Sequence, residues 1–205
     1  MKQMNNLPSD INIRPLSYII TIPTPTAINE SIVKIKKKFN LFHDQKITHP
    51  QGIISLNTAH ITLKRRFYLQ QESTEDDIIK TLRKITFYPI YITASTLSIY
   101  QTEEQGNVLV VLVDNNDELK RLHKSVLTSL LPFITRDDVF SGENYTPHIS
   151  VLYKLSDSKI HEGISISEKE ILPLSFTIDS FQLLKNIKGV MKEREIIYTH
   201  FVKEH

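Results

Sequence analysis

Pro147-His148-Ile149-Ser150-Val151-Leu152-Tyr153 and Ala59-His60-Ile61-Thr62-Leu63-Lys64 are the two stretches whose reading decides the fold. Each runs histidine, apolar residue, hydroxyl residue, then further apolar positions. On a β-strand, side chains alternate between faces. His60 and Thr62 therefore share one face and Ile61 and Leu63 the other. His148 and Ser150 likewise oppose Ile149, Val151 and Tyr153. Each segment sets an imidazole beside a hydroxyl on one surface, with apolar anchors behind. Two such strands facing one another make a cleft with two acid/base groups and two hydroxyl donors.

A bare H-x-[ST] pattern is weak, since a chain with eight histidines and many Ser and Thr residues yields about one match by accident. His123-Lys124-Ser125 is such a match. It lies within Asn116 to Leu131, where Leu119, Leu122, Val126, Leu127 and Leu130 recur at helical spacing. On a helix, His123 and Ser125 point about 200° apart, so they cannot act together, and His123 reads as a surface or boundary histidine. The strand copies differ. Each has period-two apolar flanks, and they stand 148 − 60 = 88 residues apart, one in each half of the chain.

The pair His60-Ile61-Thr62-Leu63 and His148-Ile149-Ser150-Val151 resembles the 2H phosphoesterase superfamily, which includes 2'-5' RNA ligase-like proteins and cyclic nucleotide phosphodiesterases. With the element order around the motifs, the resemblance spans most of the chain. It implies RNA ends with cyclic phosphates, 2'-5' linked oligonucleotides, ADP-ribose cyclic phosphate or cyclic dinucleotides as substrate classes.

The 205 residues fit a single domain made of two small lobes. An apolar share of 40% is that of a globular protein. The absence of cysteine removes disulfide frameworks and thiolate metal or redox sites. Met1 to Asp10 lacks the apolar core of a signal peptide, and Val108 to Val113 is far too short to span a bilayer. A cytoplasmic protein is expected, with no membrane partner. Because both half-sites lie in one chain, a monomer is expected. A net charge of +2 is too small for general nucleic-acid binding. The Lys34-Ile35-Lys36-Lys37-Lys38 cluster reads as the solvated face and last turn of a helix.

In chain order, the patterns predict a strand from Leu16 to Ile22, a helix from Asn29 to Phe39, and a loop from Asn40 to Ile53 holding His43 and His49. The first motif strand follows from Thr58 to Tyr68. A helix capped by Ser73 or Thr74 then runs through Phe87, with acidic residues in its first turn. Strands at Ile90 to Tyr100 and Asn107 to Val113 form a hairpin. Then come a helix from Asp114 to Leu131, a polar loop from Thr135 to Thr146, and the second motif strand from Pro147 to Leu155. A short helix around Ser167 to Ile171 precedes strands at Leu174 to Leu184 and Glu193 to Val202. The expected fold is α+β: two pseudo-symmetric lobes, each an antiparallel sheet flanked by helices, with the H-x-[ST] strands lining a central cleft.

Imidazoles that titrate near neutrality can divide proton transfer between them. His60 and His148 are the candidate catalytic residues for a phosphodiester, one drawing a proton from water or a 2'-hydroxyl, the other giving one to the departing ribose oxygen. The sequence leaves open which is base and which is acid. Thr62 and Ser150 are the candidate phosphate-binding residues. Continued strand parity adds Lys64, and it sets Arg66 and Lys154, each six residues after its histidine, at matching ends of the groove. A one-residue bulge would reverse that parity. Tyr145, in the loop before Pro147, is the base-stacking candidate, while Tyr153 is expected behind the sheet in the core. No metal or other cofactor is expected, since no carboxylate lies at ligand spacing from either motif. The substrate is an RNA or a nucleotide. The rival from another class is a module with the same fold that binds RNA or a cyclic nucleotide without turning it over.

Overall fold

The structure, a computed structural model, describes residues 16–41, 46–49, 52–55, 59–102, 106–135, 145–186 and 193–203. Strand β1 (Tyr18–Pro23) buries alternate residues Tyr18, Ile20 and Ile22. Helix α1 (Thr26–Lys38) enters from Pro25 without a side-chain cap and buries Ile32 and Ile35 of the expected stripe. The stretch expected to be a loop from Asn40 to Ile53 instead contains a hairpin, β2 (Lys46–His49) and β3 (Gly52–Ser55). These strands are short, and β2 is held by parallel pairing at Glu193↔Lys46, a contact that local periodicity does not reveal. His49 ends β2, and His43 lies outside the described residues.

The first motif strand is β4 (His60–Phe67). Thr74 caps α2 (Glu75–Leu82): Asp77 N donates to its hydroxyl, and its own backbone N–H donates to the Asp77 carboxylate at 2.9 Å. This helix stops at Leu82, short of Phe87. Strands β5 (Ile90–Ala94), β6 (Thr96–Thr102) and β7 (Gly106–Leu112) lead to α3 (Asp117–Leu130), whose cap is Asn116. The second motif strand is β8 (His148–Leu155).

After a 3-10 turn at Asp157–Lys159, α4 runs from Ile160 to Ile171, far longer than the predicted Ser167 to Ile171. Its serines and central Gly163 lower local helix propensity, so tertiary packing decides its length. A Cβ at Gly163 would stand 3.0 Å from Leu155 Cδ2, so the glycine permits close approach to β8. Strands β9 (Leu174–Ile178), β10 (Ser180–Asn186) and β11 (Glu193–Phe201) complete the described chain. Among the described residues no helix is long and apolar enough to cross a membrane.

Nine strands form one sheet in the order β3-β2-β11-β10-β1-β4-β8-β7-β6, and β5 pairs with β9 in a second sheet. The architecture is α+β, with the half-sheets of the two halves joined where the motif strands meet. The strands predicted at Ile90 to Tyr100 and Leu174 to Leu184 are each broken, at Ser95 and Asp179. The apolar alternation changes phase at both breaks, from Ile90, Ile92 and Ala94 to Leu97 and Ile99, and from Leu174, Phe176 and Ile178 to Phe181 and Leu183. Each piece then takes a different pairing partner.

The halves share a backbone plan. Apart from the β2–β3 hairpin inserted between α1 and β4, the order β1-α1-β4-α2-β5 recurs as β7-α3-β8-α4-β9. Strand β4 pairs with β1 at Phe67↔Tyr18, Lys64↔Ile20, Thr62↔Thr21 and Ile61↔Ile22, with two register shifts. Strand β8 pairs with β7 at Leu155↔Asn107, Leu152↔Leu109, Ser150↔Val110 and Ile149↔Val111, again with two shifts. Each β8 residue is its β4 counterpart plus 88, and each β7 residue its β1 counterpart plus 89 (155 − 67 = 88; 107 − 18 = 89). The bond from Thr24 N to Ala59 O recurs, with the same offsets, as Val113 N to Pro147 O.

Candidate active site

The motif strands lie antiparallel and meet at Ile61↔Ile149, both residues fully buried. Stepping one residue either way puts His60 across from Ser150 and Thr62 across from His148. All four face away from the core, and all four are half-buried. Directly opposed side chains in such a pair have Cβ atoms about 5 Å apart, and diagonal neighbours are about 7–8 Å apart. The two imidazoles are thus diagonal neighbours with a hydroxyl beside each.

His148 is held in one tautomer. Its Nδ1 lies 2.9 Å from Thr146 O, and a carbonyl only accepts, so Nδ1 carries the proton and Nε2 is the open nitrogen. The edge of Tyr100 meets its ring in a T-shape, with centroids 5.1 Å apart. Burial pushes the imidazole pKa down, the Thr146 contact opposes that in part, and the Arg65 guanidinium lowers it further.

The bulges decide which neighbours join the motif. Between Thr62 and Lys64 the register with β1 slips, and Lys64 pairs with core-facing Ile20. Lys64 is 0% exposed, with Nζ 5.8 Å from the Phe67 ring centroid. The expectation that it lines an open groove beside Thr62 is therefore corrected, for the reason that a bulge reverses parity. Arg65, missed by the parity argument, stands exposed within electrostatic reach of His148. Arg66 is exposed at the end of β4. Lys154 occupies the matching place on β8 with φ 54° and borders an open depression of about 740 Å³ with Gln101, Asn107 and Asp157.

Tyr145 has a different role from the one its position suggested. Its ring lies flat on His123, with centroids 3.8 Å apart and planes 4° apart, and its hydroxyl donates to Thr62 O at 3.0 Å. His123 Nδ1 donates to Leu63 O at 2.7 Å. Beyond Ile61 the motif strands part, and this stacked pair satisfies carbonyls on the free edge of β4. One face of Tyr145 is thus occupied, and burial raises its pKa. His123 is only 4% exposed, so the reading of it as a surface or boundary residue is corrected. Helical spacing excluded it from catalysis without revealing that a divergent strand edge needed a donor there. Lys36, read as part of a solvated cluster, is 7% exposed, with Nζ 5.7 Å from the Tyr153 ring centroid.

A family model described as the 2'-5' RNA ligase superfamily matches residues 24–189. No curated protein matches the sequence. Among solved structures, LigT of E. coli in apo form aligns with a TM-score of 0.58 and 16% identity over 93% of this chain and 99% of that one. The same protein complexed with 3'-AMP aligns with a TM-score of 0.59 and 15% identity, again over 93% and 99%. The TT0787 protein of Thermus thermophilus aligns with a TM-score of 0.58 and 13% identity over 92% of this chain and 100% of that one. At these identities the structural likeness is one of fold.

Proposed function

The chain belongs to the 2'-5' RNA ligase superfamily, a group of 2H phosphoesterases, and from that premise we propose that it is a metal-independent phosphodiesterase acting on RNA or nucleotide phosphodiesters, with 2',3'-cyclic phosphate or 2'-5' linked substrates turned over by two-histidine acid/base catalysis. The observation that carries this reading is the Ile61↔Ile149 register, which supports His60, Thr62, His148 and Ser150 acting together on one phosphate.

In this reading, His148 is the base for hydrolysis of a cyclic phosphate. Burial keeps its imidazole neutral, and the Thr146 contact leaves Nε2 with a free lone pair. Nε2 takes a proton from water as the water oxygen bonds to phosphorus. The bond from phosphorus to one ribose oxygen breaks, and His60 delivers a proton to that oxygen. Water has then been added across one P–O bond, giving a phosphomonoester and a free hydroxyl. The two histidines exchange protons with solvent to return to their starting states. Thr62 and Ser150 donate hydrogen bonds to the non-bridging oxygens as charge shifts onto them, and Arg65 adds positive charge at the same edge.

The test is incubation of the purified protein, with EDTA present, with 2',3'-cyclic nucleotides, short 2'-5' and 3'-5' oligonucleotides and cyclic dinucleotides, alongside His60→Ala and His148→Ala. EDTA-resistant turnover lost in both variants is the expected result. Turnover abolished by EDTA would overturn the metal-independent mechanism. Retained binding with no turnover of any substrate would establish the binding module instead.

A further inference from the structure

The correspondence between the halves extends to the strands that flank the motif pair. Strand β6 pairs with β7 and β10 pairs with β1, both antiparallel, so β6 stands two strands from β8 as β10 stands two strands from β4. On β6, Leu97 and Ile99 pack against the main core, and Ser98 and Tyr100 therefore point to the other face, which carries His148 and Ser150. The register agrees. Tyr100 pairs with Val108, and Val110, two residues further along that face of β7, pairs with Ser150. In the first half Val108 corresponds to Ile19, whose partner on β10 is Leu184 (108 − 89 = 19). Leu184 packs with Ile19 and Ile196 in a small cluster apart from the main core. A tyrosine on the His148 side thus takes the place of a leucine on the His60 side.

The inner neighbours differ as well. Val110 and Leu112 pair with Ser150 and His148, where the first half sets Thr21 and Pro23 against Thr62 and His60. Tyr100, on the edge strand and half-buried, reaches His148 itself: the ring centroids are 5.1 Å apart and the planes are inclined at 77°. Burial raises the pKa of its phenol, so the hydroxyl keeps its proton near neutrality and the contact brings no charge. The other groups bearing on the imidazole are the Thr146 carbonyl at Nδ1 and the Arg65 guanidinium of β4. The residue opposite on β7, Leu112, is uncharged. One hydrogen bond at Nδ1 holds a single atom and leaves the imidazole free to swing about it. A second ring packed against the imidazole removes that freedom.

Resting on the reading of His148 as the base of a phosphodiesterase, we propose that Tyr100 is a positioning residue, whose ring holds Nε2 of His148 toward the space between the motif strands and keeps water off the imidazole. A reacting group misplaced by about 1 Å can lose about 10²-fold in rate, so the brace acts on kcat more than on KM. Exclusion of water also favours the neutral imidazole, the form that a base needs, and burial is the largest cause of the lowered His148 pKa. The two motif histidines are alike along their own strands, and the residue two strands away gives them different surroundings.

The test compares the native chain with Tyr100→Leu, which copies the other half, and Tyr100→Phe, which keeps the ring. Unchanged thermal melting is expected in both. In Tyr100→Leu, kcat for a 2',3'-cyclic mononucleotide is expected to fall about tenfold or more while KM stays within about twofold. The acid limb of kcat/KM should move up toward the ordinary histidine value of about 6.5. Tyr100→Phe is expected to keep the native kcat and the native limb. Native kinetics in Tyr100→Leu would overturn the proposal. A rise in KM alone would also overturn it, by making Tyr100 a substrate contact, and equal losses in both variants would overturn it by assigning the role to the hydroxyl. Titration of the His148 imidazole by NMR reads the same packing without turnover. A higher pKa in Tyr100→Leu than in the native chain supports the brace, and an unchanged titration overturns it. Failure of the native protein to turn over any phosphodiester counts against the proposed activity, and the NMR titration then decides the role of Tyr100 on its own.

Discussion

The two halves of this protein carry the same backbone and different chemistry. Strands β4 and β8 slip against their neighbours at corresponding residues and point an imidazole and a hydroxyl at the same place. Outside the motif, the equivalent positions diverge. Arg65 corresponds to Tyr153, Lys64 to Leu152, and Arg66 to Lys154. The free edge of β4 is closed by Tyr145 and His123, whereas beside β8 the helix α1 presents Lys36 to Tyr153. Backbone symmetry can thus supply two matched acid/base groups. Asymmetric surroundings are needed to make one imidazole a base and the other an acid.

The largest effect tests whether both halves are needed. His60→Ala and His148→Ala are each expected to lower kcat by about 10²–10⁴-fold, the usual contribution of positioned acid/base groups. The double variant should fall little further, because the pair works as a unit. A variant that retains native kcat would break the comparison, leaving one half as scaffold only.

Next come the hydroxyls. Thr62→Ala and Ser150→Ala are each expected to cost about 10²-fold in kcat, the scale of losing one donor to a charged transition state. Thr62→Ser, which keeps the hydroxyl, should recover most of the loss.

The pH profile sharpens the asymmetry. His148 titrates below its ordinary value of about 6.5, so as the base it is active above its own pKa. The acid limb of kcat/KM is expected below pH 6.5. Arg65→Gln removes a charge that disfavours the imidazolium, so this limb should shift upward. A downward shift, or none, would separate Arg65 from the site. The same depression links to stability. The unfolded chain binds the proton more tightly, so this contribution is full above about 6.5 and is lost as pH falls through the folded value.

The smallest effect concerns the strand edge. Tyr145→Phe leaves Thr62 O without its donor and is expected to cost about 1–2 kcal/mol in urea unfolding, the penalty for an unsatisfied buried acceptor. No loss of stability would show that the β4 edge has another donor.

Much of the fold was legible because its signals are local. Period-two apolar runs marked β1, β4 and β8, the unbroken aliphatic run Val108 to Val113 marked β7, helical spacing marked α1 and α3, and Ser73 or Thr74 marked the start of α2. Helix α4 was largely hidden, because its serines and Gly163 argue locally against a helix that packing on β8 stabilises. The hairpin of β2 and β3 was hidden because its anchor is β11, more than 140 residues away (193 − 46 = 147).

By itself, the sequence determined that two histidine–hydroxyl pairs sit on strands with apolar backs, since side-chain alternation follows from backbone geometry alone. Only the tertiary structure decided which residues stand beside them. Lys64 turned inward, Arg65 stood exposed within electrostatic reach of His148, and His123 became a buried donor because bulges and the divergence of β4 from β8 arise from pairing between strands remote in sequence. Parity read along one strand holds only until its partner slips.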